Sequence, residues 1–575
     1  MSRKKEYTYH PMQMHLHSSF QPGGSMRGHL YNAKSLGIKY IWFTDHDNRI
    51  HKKQYPGDYF DFTLGKLAIE DGPNHSIGWI NIKDEEWVNS EPLFEVSYKG
   101  LTVSNYDRFY YEECGGDGEG SKETLTAGIE YSSSARRHTS SLLADISLEI
   151  KFRVIGKLHG DNNILFNVRL SQSPPLHKPS HLIYALRKGY KTKVPNTKVI
   201  DLDIVPDKTG LYSLTLNLTK DLTGSDLGGL DNVFDTLGII VQSSDGGDFS
   251  CFLESFRIIR ELDGYQVHER QKKLAKELEK EYGVYTFVGT EITRAGNHKN
   301  CLSTKTPLVD YPAYDYKVSQ RIAIDLLKEH KALFSYNHPF LIYQKQGNLI
   351  NNSERFIGTY AAILSASKVY GAQIMEVGFP EGRYNASLQS HLRLWDLLSL
   401  SGTFITGSGV NDSHSNNTKW LDENNFASWV GADKNILDPV PEEEFAKSLA
   451  SGKLYMGDPV YLKGKVEFET LSGLQMGSIV LAKDYDDIVE VRLFMDKLEK
   501  GWSLRQIQDG ELVRKISIKN RVFSKNFSLQ SNKAVSFIRF ELYNHDKRCI
   551  MLTNPIYLVR DFEYLGEIPE NRLEL

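Results

Sequence analysis

The sequence predicts an α/β fold with a parallel sheet, interrupted by an inserted β-sandwich and followed by a small C-terminal β-sandwich. Helical and strand-like segments alternate near the start of the 575 residues and again after residue 263, which is typical of βα units. Short alternating strands separated by turn residues fill the stretch between them. We therefore place the domain boundaries at 1–70, 71–262, 263–459 and 460–575.

The first α/β part contains one helix and one buried strand. Residues 27–36 have helical spacing and end at Gly37. The apolar run IKYIWFT, residues 38–44, ends in the polar residues Asp45, His46 and Asp47. Such a run is typical of a strand that is buried on both faces of a parallel sheet.

The inserted part has a different pattern. Runs such as LEIKFRV (148–154), ILFNVRL (164–170) and LYSLTLNL (211–218) alternate in polarity, and hardly any helical pattern occurs. This spacing predicts a jelly-roll-like sandwich. The run VSFIRFELY (535–543) predicts the second, smaller sandwich.

The α/β pattern returns with a charged helix over 265–283 and the strand VYTFVGT (284–290). Further pairs follow this first one. We expect helices at 319–330, 354–369 and 387–400, and strands at 332–336, 373–377 and 403–407.

Composition narrows the class of protein. The formal net charge is −4, which argues against bulk nucleic-acid binding. The four cysteines form no CxxC pair, so neither a disulfide framework nor a structural zinc knuckle is expected. The N-terminus lacks the pattern of a signal peptide, and no apolar window is long enough to span a membrane. We expect a cytoplasmic protein with no membrane partner, and the sequence leaves its oligomeric state open.

Polar residues with metal-binding side chains cluster at the ends of the predicted strands. They are His15, His17, His46, Glu291, His298, His338, Asp412 and His414. In a parallel α/β barrel such strand ends meet at one mouth, so we expect these side chains to form one cluster. A single HxH motif among 18 histidines carries little weight, whereas the ordered set predicts a metal site.

The residue types indicate which metals would bind. His15 and His17 point to the same side of an extended segment, so both imidazoles can grip one cation. Imidazole together with carboxylate suits Zn, Mn or Fe better than Ca or Mg. A glutamate between histidine clusters can bridge two cations. We therefore expect two divalent metal ions, with a third left open.

The motifs HLHSS, TDHD, GTEIT with a later His, YNHP and NDSH, in this order, resemble the polymerase and histidinol phosphatase (PHP) superfamily of metal-dependent hydrolases. HLHSSFQPGGSM, IWFTDHDNR and LTNPIYL are more similar to the subfamily typified by carbaryl hydrolase. The resemblance implies a distorted (β/α)7 barrel, a TIM-like barrel, with two or three metals at its mouth.

Carried over by residue, the resemblance makes His15 and His17 ligands of one metal and Glu291 a bridge between metals. The other ligands that it implies are His46, His298, His338, Asp412 and His414. Pro22 stands where many members have a ligand aspartate, which puts the third metal in doubt. His29 could substitute, although a surface histidine is the stronger expectation there.

Two further residues are expected to support catalysis. Asp45 would orient an imidazole. Arg49 would hold an anionic or carbonyl group of the substrate, with a salt bridge at the barrel rim as an equal alternative. Glu376 could contact substrate, but a structural pair is the stronger interpretation.

The predicted function is that of a metal-dependent hydrolase in which a metal-bridged hydroxide cleaves a phosphoester or a carboxyl or carbamate ester. The phosphoesterase interpretation follows the superfamily, and the carbamate interpretation follows the subfamily. The expected substrate is a small or sugar-like molecule. The alternative is a carbohydrate-binding protein on a PHP-like scaffold with little or no catalysis.

Overall fold

The computed structural model describes three parts of the chain. Residues 6–47 are described except 19 and 21–23, and 48–263 are described in separate segments that are mostly strands. Residues 264–560 are described except 294–297, 306–307, 309–324, 326–328, 341–351, 379–386, 415–425 and the positions 483, 485–486 and 531–532. The helix predicted at 319–330 lies largely outside the described residues.

The described helices are few. They are α1 (Met26–Leu36), α2 (Leu218–Leu222), α3 (Gly264–Tyr282), α4 (Glu354–Ala366), α5 (Leu388–Leu400) and α6 (Glu442–Ala450), with a 3-10 turn at Lys368–Gly371. None of the helices in the described part of the chain combines the length and the apolarity that a membrane crossing requires.

Strands dominate the described residues. Those before residue 263 are β1 (Tyr7–Leu16), β2 (Tyr40–His46), β3 (Tyr59–Asp61), β4 (Trp79–Asn81), β5 (Val96–Ser97), β6 (Gly100–Ser104), β7 (Phe109–Tyr110), β8 (Leu125–Ser132), β9 (Ile146–Gly156), β10 (Asn163–Leu170), β11 (Ser180–Ala185), β12 (Thr197–Asp201), β13 (Leu211–Asn217), β14 (Phe234–Ser243) and β15 (Phe249–Arg260).

Later strands are β16 (Tyr285–Ile292), β17 (Lys299–Leu302), β18 (Leu333–Tyr336), β19 (Ile374–Gly378), β20 (Thr406–Gly409), β21 (Ala427–Asp433), β22 (Leu454–Gly457), β23 (Val466–Thr470), β24 (Ile479–Leu481), β25 (Val489–Met495), β26 (Ser503–Gln508), β27 (Glu511–Ser517), β28 (Phe523–Leu529), β29 (Val535–Tyr543), β30 (Cys549–Thr553) and β31 (Ile556–Val559).

The chain divides into two compact units. Unit one contains residues 1–17, 29–48 and 271–575, and unit two contains residues 18–28 and 49–270. Unit one is therefore built from segments on both sides of unit two in the sequence. The four predicted domain boundaries stay a prediction.

Unit one is organised by a 15-stranded mixed sheet. Its main order is β20-β19-β18-β17-β16-β2-β1-β21-β22-β30-β29-β26-β27. Strand β2 pairs in parallel with both β1 and β16, and β19 pairs in parallel with both β18 and β20. Strand β17 runs antiparallel to both of its neighbours, and β21 runs antiparallel to β1.

The predicted (β/α)7 barrel, and with it the TIM-like barrel, is wrong. Such a barrel needs parallel strands that each lead into a crossover helix. The large sheet instead mixes parallel and antiparallel pairs, and strands far outnumber helices among the residues that the structure describes. Hairpin connections such as that from β16 to β17 explain the difference, because an antiparallel neighbour needs no crossover helix.

Several individual elements were predicted correctly, even though the barrel was not. The helix predicted at 27–36 is α1, and the strand predicted at 38–44 is β2, whose residues are all buried. Strand β16 matches VYTFVGT and packs closely on β17 at Gly289. A Cβ atom there would lie 2.1 Å from the carbonyl oxygen of Cys301, so only glycine allows this approach.

Unit two forms a β-sandwich, as the sequence predicts. One sheet has the main order β12-β11-β10-β14-β8-β4, and the other has β13-β9-β15-β6-β5. A single apolar core contains residues from both sheets, including Phe152 of β9 and Phe166 of β10, whose rings lie 5.1 Å apart. The alternating runs of this part therefore bury one face of each sheet against the other.

The C-terminal strands of unit one belong to two sheets. Strands β23, β25 and β28 form a three-stranded antiparallel sheet, whereas β29, β30 and β31 extend the large sheet. Buried Arg539 of β29 donates two hydrogen bonds of 2.8 Å to Asp396 of α5 and one of 2.7 Å to Glu541. This network ties helix α5 to the C-terminal part of the large sheet.

Candidate metal centre

The candidate metal ligands of unit one lie in or next to six strands. His15 lies in β1 with His17 just after it, His46 ends β2, and Glu291 lies near the end of β16. His298 precedes β17, His338 follows β18, and Asp412 and His414 follow β20. The structure brings all eight of these predicted side chains into one cluster.

The sheet explains why these positions meet. Glu291 and His46 are register partners on the parallel strands β16 and β2. The segment after β20 returns to β1, where Leu16 and Ser413 form a parallel bridge and the His17 N–H donates to the Ser413 carbonyl at 3.0 Å. Residues at the carboxyl ends of β1, β2, β16 and β20 therefore face one volume.

Glu291 lies at the centre of the cluster and is fully buried. Its Oε1 atom is 3.4 Å from His15 Nε2, 3.2 Å from His298 Nδ1 and 3.3 Å from His338 Nε2. Its Oε2 atom is 2.6 Å from His46 Nδ1. The two carboxylate oxygens thus face different imidazoles, which is the arrangement that a bridging carboxylate requires.

Asp412 is the second carboxylate of the cluster. Its Oδ1 atom is 3.0 Å from His17 Nε2 and 3.3 Å from His15 Nε2. Those two imidazole nitrogens are themselves 3.0 Å apart. The ring of His414 stacks on that of His17 at 3.9 Å between centroids, and His414 Nε2 lies 3.5 Å from His46 Nε2.

Three groups of donor atoms can each surround a metal ion. They are His17 with His46 and His414, His15 with His17 and Glu291, and His46 with Glu291 and His298. Within each group the donor atoms lie within 4.8 Å of one another. Many pairs of donor atoms are 3.0–3.5 Å apart. Neighbouring ligand atoms in a tetrahedral zinc site are expected to lie about 3.3 Å apart. The residues therefore fit a metal ion.

The chemistry of the donors supports the same fit. The buried Nε2 atoms of His15 and His17 and one oxygen of Asp412 converge, at 3.0–3.3 Å from one another. Nδ1 of buried His17 also makes no hydrogen bond among the described residues. A cation would satisfy the converging lone pairs, and imidazole with carboxylate suits Zn, Mn or Fe.

Electrostatics couples the members of the cluster. Burial disfavours the charged form of His15, but Asp412, Glu376 and Glu291 outweigh it and hold the pKa of His15 well above its usual value. Burial and the neighbouring imidazoles of His414 and His46 lower the pKa of His17.

The pKa of Glu291 shows the effect of the histidines around it. Burial alone would raise it, yet the imidazoles of His298, His46 and His15 bring the pKa of Glu291 well below its ordinary value. The cluster therefore favours an ionised carboxylate at its centre.

The backbone is strained at two of the candidate ligands. His338 has φ 25° and Asp412 has φ 48°, in the left-handed region that residues other than glycine rarely adopt. Such strain persists where the surrounding structure enforces it, and it is common at functional sites. Here it directs two side chains toward Glu291 and His17.

The described residues differ in their exposure to solvent. The side chain of His414 is 41% exposed and that of His298 is 23% exposed, whereas His15, His17 and Glu291 are fully buried. Solvent therefore reaches the cluster on the side of His298 and His414.

Supporting residues hold the cluster in place. Asp45 accepts a hydrogen bond of 2.5 Å from the Gln271 amide, and Asp47 accepts from the backbone and hydroxyl of Thr293. The predicted role of Asp45 as the partner of an imidazole stays a prediction. Arg49 lies outside the described residues.

His29 is buried and not a surface residue, contrary to the sequence-based expectation. Its Nε2 atom lies 3.1 Å from the His17 carbonyl oxygen. Burial lowers the pKa of His29 to about 4, which keeps the ring neutral. It supports the loop that carries His17.

Two supporting residues were not among the predicted site residues. The Asn337 amide donates to Glu291 Oε1 at 2.7 Å and to Asn300 Oδ1 at 2.9 Å. Glu376 contacts His15 and the backbone of His338. Asn337 stands directly before His338 in the YNHP motif, and Glu376 lies at the end of a predicted strand. Both are therefore polar residues at predicted strand ends, which is the pattern that identified the other site residues.

Comparisons with known proteins give no family. No family model matches the chain, and no curated protein matches it. Among solved structures, a family 12 xyloglucanase from Bacillus licheniformis has 7% identity and a TM-score of 0.20, covering 35% of this chain and 100% of that one. The CBM22-1 xylan-binding domain from Paenibacillus barcinonensis Xyn10C has 10% identity and a TM-score of 0.15, covering 36% and 96%.

A third match is a β-glucuronidase from Bacteroides uniformis, with 10% identity and a TM-score of 0.14 over 78% of this chain and 62% of that one. TM-scores this low do not establish a common fold. These three matches are carbohydrate-active proteins. The PHP-domain and phosphoesterase expectations came from the motif resemblance; the described residues lack the barrel that this resemblance implies, so both expectations are corrected together with it.

Proposed function

We propose that unit one is a metal-dependent hydrolase that cleaves a carboxyl or carbamate ester of a small or sugar-like molecule. The observation that carries the proposal is the position of Glu291, whose two oxygens face separate sets of imidazoles. That arrangement supports a centre with two divalent ions, of Zn, Mn or Fe.

The residues that would hold the ions are the three donor groups described above. When bound, the ions would lower the pKa of a water molecule and stabilise negative charge that develops on the substrate. The Asn337 amide keeps the Glu291 carboxylate oriented through its bond to Oε1. The buried side of the cluster excludes water, and His298 and His414 line the side from which a substrate can approach.

The first experiment measures metal content and ester hydrolysis on one preparation. We expect bound transition metal, turnover of p-nitrophenyl acetate or an aryl carbamate, loss of turnover after treatment with a chelator, and recovery on adding Zn²⁺, Mn²⁺ or Fe²⁺. Turnover that survives complete removal of metal would contradict the proposal.

A second candidate function is carbohydrate binding by unit two, with little or no catalysis by the chain. The observation that favours it is a separate sandwich with its own apolar core shared by both sheets. Xyloglucan and xylan are the first polysaccharides to test, by affinity electrophoresis of the full chain. Retardation by a polysaccharide, together with a metal-loaded protein that hydrolyses no ester, would favour this second candidate.

A further inference from the structure

Glu376 is a buried carboxylate beside the candidate metal centre. Its Oε1 atom lies 2.6 Å from Nδ1 of His15, and its Oε2 atom accepts the backbone N–H of His338 at 2.6 Å. The side chain is fully buried. Both oxygens are therefore engaged with two candidate ligands that come from different strands.

The two nitrogens of His15 face opposite partners. Nδ1 faces Glu376, whereas Nε2 faces His17, Asp412 and Glu291 in the cluster. A carboxylate at 2.6 Å accepts a hydrogen bond from the protonated Nδ1, which leaves the lone pair on Nε2 directed into the cluster. An outer carboxylate that fixes the tautomer of a ligating histidine in this way raises its metal affinity.

The second contact acts on the backbone of His338. This residue has φ 25° and precedes Pro339, a position where the allowed backbone conformations are already restricted. The hydrogen bond from its N–H to Glu376 holds the strained conformation that keeps His338 Nε2 3.3 Å from Glu291.

Local structure directs Glu376 toward both partners. The pairing of β19 with β20 shifts register between Glu376 and Gly378. A Cβ atom on Gly378 would lie 2.7 Å from a ring atom of Phe426, so glycine is needed at this irregularity. Such shifts commonly re-aim a side chain next to a functional site.

We propose that Glu376 is a positioning residue that sets the tautomer of His15 and the backbone of His338, so that both present nitrogen lone pairs to the metals. The inference rests on the proposed function, since it assumes that the cluster binds metal. Glu376 itself would not coordinate a metal, because both of its oxygens are already used.

The substitution Glu376→Gln gives a sharp test. The N–H of His338 can only donate, so the amide oxygen of glutamine would stay there and its NH2 group would face Nδ1 of His15. His15 would then carry its proton on Nε2 and lose the lone pair that points into the cluster. We expect Zn²⁺ affinity to fall by about 10- to 100-fold.

The measurements are Zn²⁺ affinity by competition with a chelating dye and the visible absorption spectrum of Co²⁺-loaded protein. The spectrum should change in Glu376→Gln, because it reports the ligands themselves. The matched control is Glu541→Gln, another buried carboxylate, which pairs with Arg539 and accepts from Tyr543. The control should keep the wild-type affinity and spectrum even if its stability falls.

The outcomes separate the two proposals. A wild-type protein that takes up neither Zn²⁺ nor Co²⁺ overturns the proposed function and this inference with it. Wild-type affinity and an unchanged Co²⁺ spectrum in Glu376→Gln overturn the inference alone. If that variant does not fold, ¹⁵N NMR of histidine-labelled, Zn²⁺-loaded wild type decides, since a proton on Nε2 of His15 contradicts the inference and one on Nδ1 supports it.

Discussion

Nδ1 of His46 lies 2.6 Å from Oε2 of Glu291, and the two residues are register partners on neighbouring parallel strands. Sheet pairing therefore fixes this contact directly. The other oxygen, Oε1, contacts His15, His298 and His338, which come from other strands. Glu291 therefore links His46, its partner in the sheet, to the rest of the cluster.

Replacing Glu291 with Gln should remove the charge that holds two cations close together. We expect the protein to lose at least one metal equivalent and hydrolysis to fall by about 100-fold or more, while the fold is kept. Metal analysis and turnover on the same preparation check this. Glu511→Gln, at an exposed position of β27, is the control and should behave like wild type. Full metal content with unchanged turnover would place the reactive centre elsewhere.

Substitutions of His17 and His298 should differ in the number of metals that they remove. His17 belongs to two of the three donor groups, whereas His298 belongs to one. We expect His17→Ala to lose more metal per chain than His298→Ala, measured by elemental analysis after dialysis against equal free Zn²⁺. Equal losses would show that the groups do not act as separate sites.

Replacing Arg539 with Met should destabilise unit one strongly. The change leaves the buried carboxylates of Asp396 and Glu541 without their cation, which typically costs about 3–5 kcal/mol of unfolding free energy. Denaturant unfolding of the variant measures this. Arg514→Met, at an exposed position of β27, should change stability by less than about 0.5 kcal/mol.

The loss in Arg539→Met should depend on pH with a defined sign. Burial already raises the pKa of Asp396 above its ordinary value of 3.8, and removing the guanidinium raises it further. The folded variant then binds a proton more tightly than the unfolded chain, so its stability falls as the pH rises from about 4. The destabilisation relative to wild type should therefore be smaller in acid, and a loss that grows in acid would contradict this account.

Two glycine substitutions should have opposite effects. In Gly289→Ala the new Cβ would lie 2.1 Å from the Cys301 carbonyl oxygen, and the backbone cannot move away without opening the β16–β17 pair. We expect a loss of about 1–3 kcal/mol. Gly358 lies in helix α4 with open space around it, so Gly358→Ala should stabilise by about 0.5–1 kcal/mol. Thermal unfolding of both variants tests the pair.

Much of the cluster was predictable because strand ends are marked locally in the sequence. HLH places two imidazoles on one side of an extended segment, and TDHD and GTEIT each end an apolar run that forms a buried strand. These signals depend only on neighbouring residues. The structure accordingly brings His15, His46 and Glu291 together.

The architecture was less predictable because it depends on long-range pairing. No local pattern indicated that β17 pairs antiparallel between β16 and β18, or that β21 pairs with β1. Short strands such as β17 carry too few residues for a periodic pattern. The sequence indicated a structural pair for Glu376 but not its partner, since His15 lies 361 positions away in the sequence.

The division of unit one into segments on either side of unit two has a consequence for biosynthesis. A ribosome makes His15, His17 and His46 long before Glu291, and Asp412 and His414 emerge later still. The early histidines therefore lack their carboxylate partners while the whole sandwich is translated. Any metal that they meet in that interval finds an incomplete set of ligands, so correct loading has to follow the synthesis of nearly three quarters of the chain.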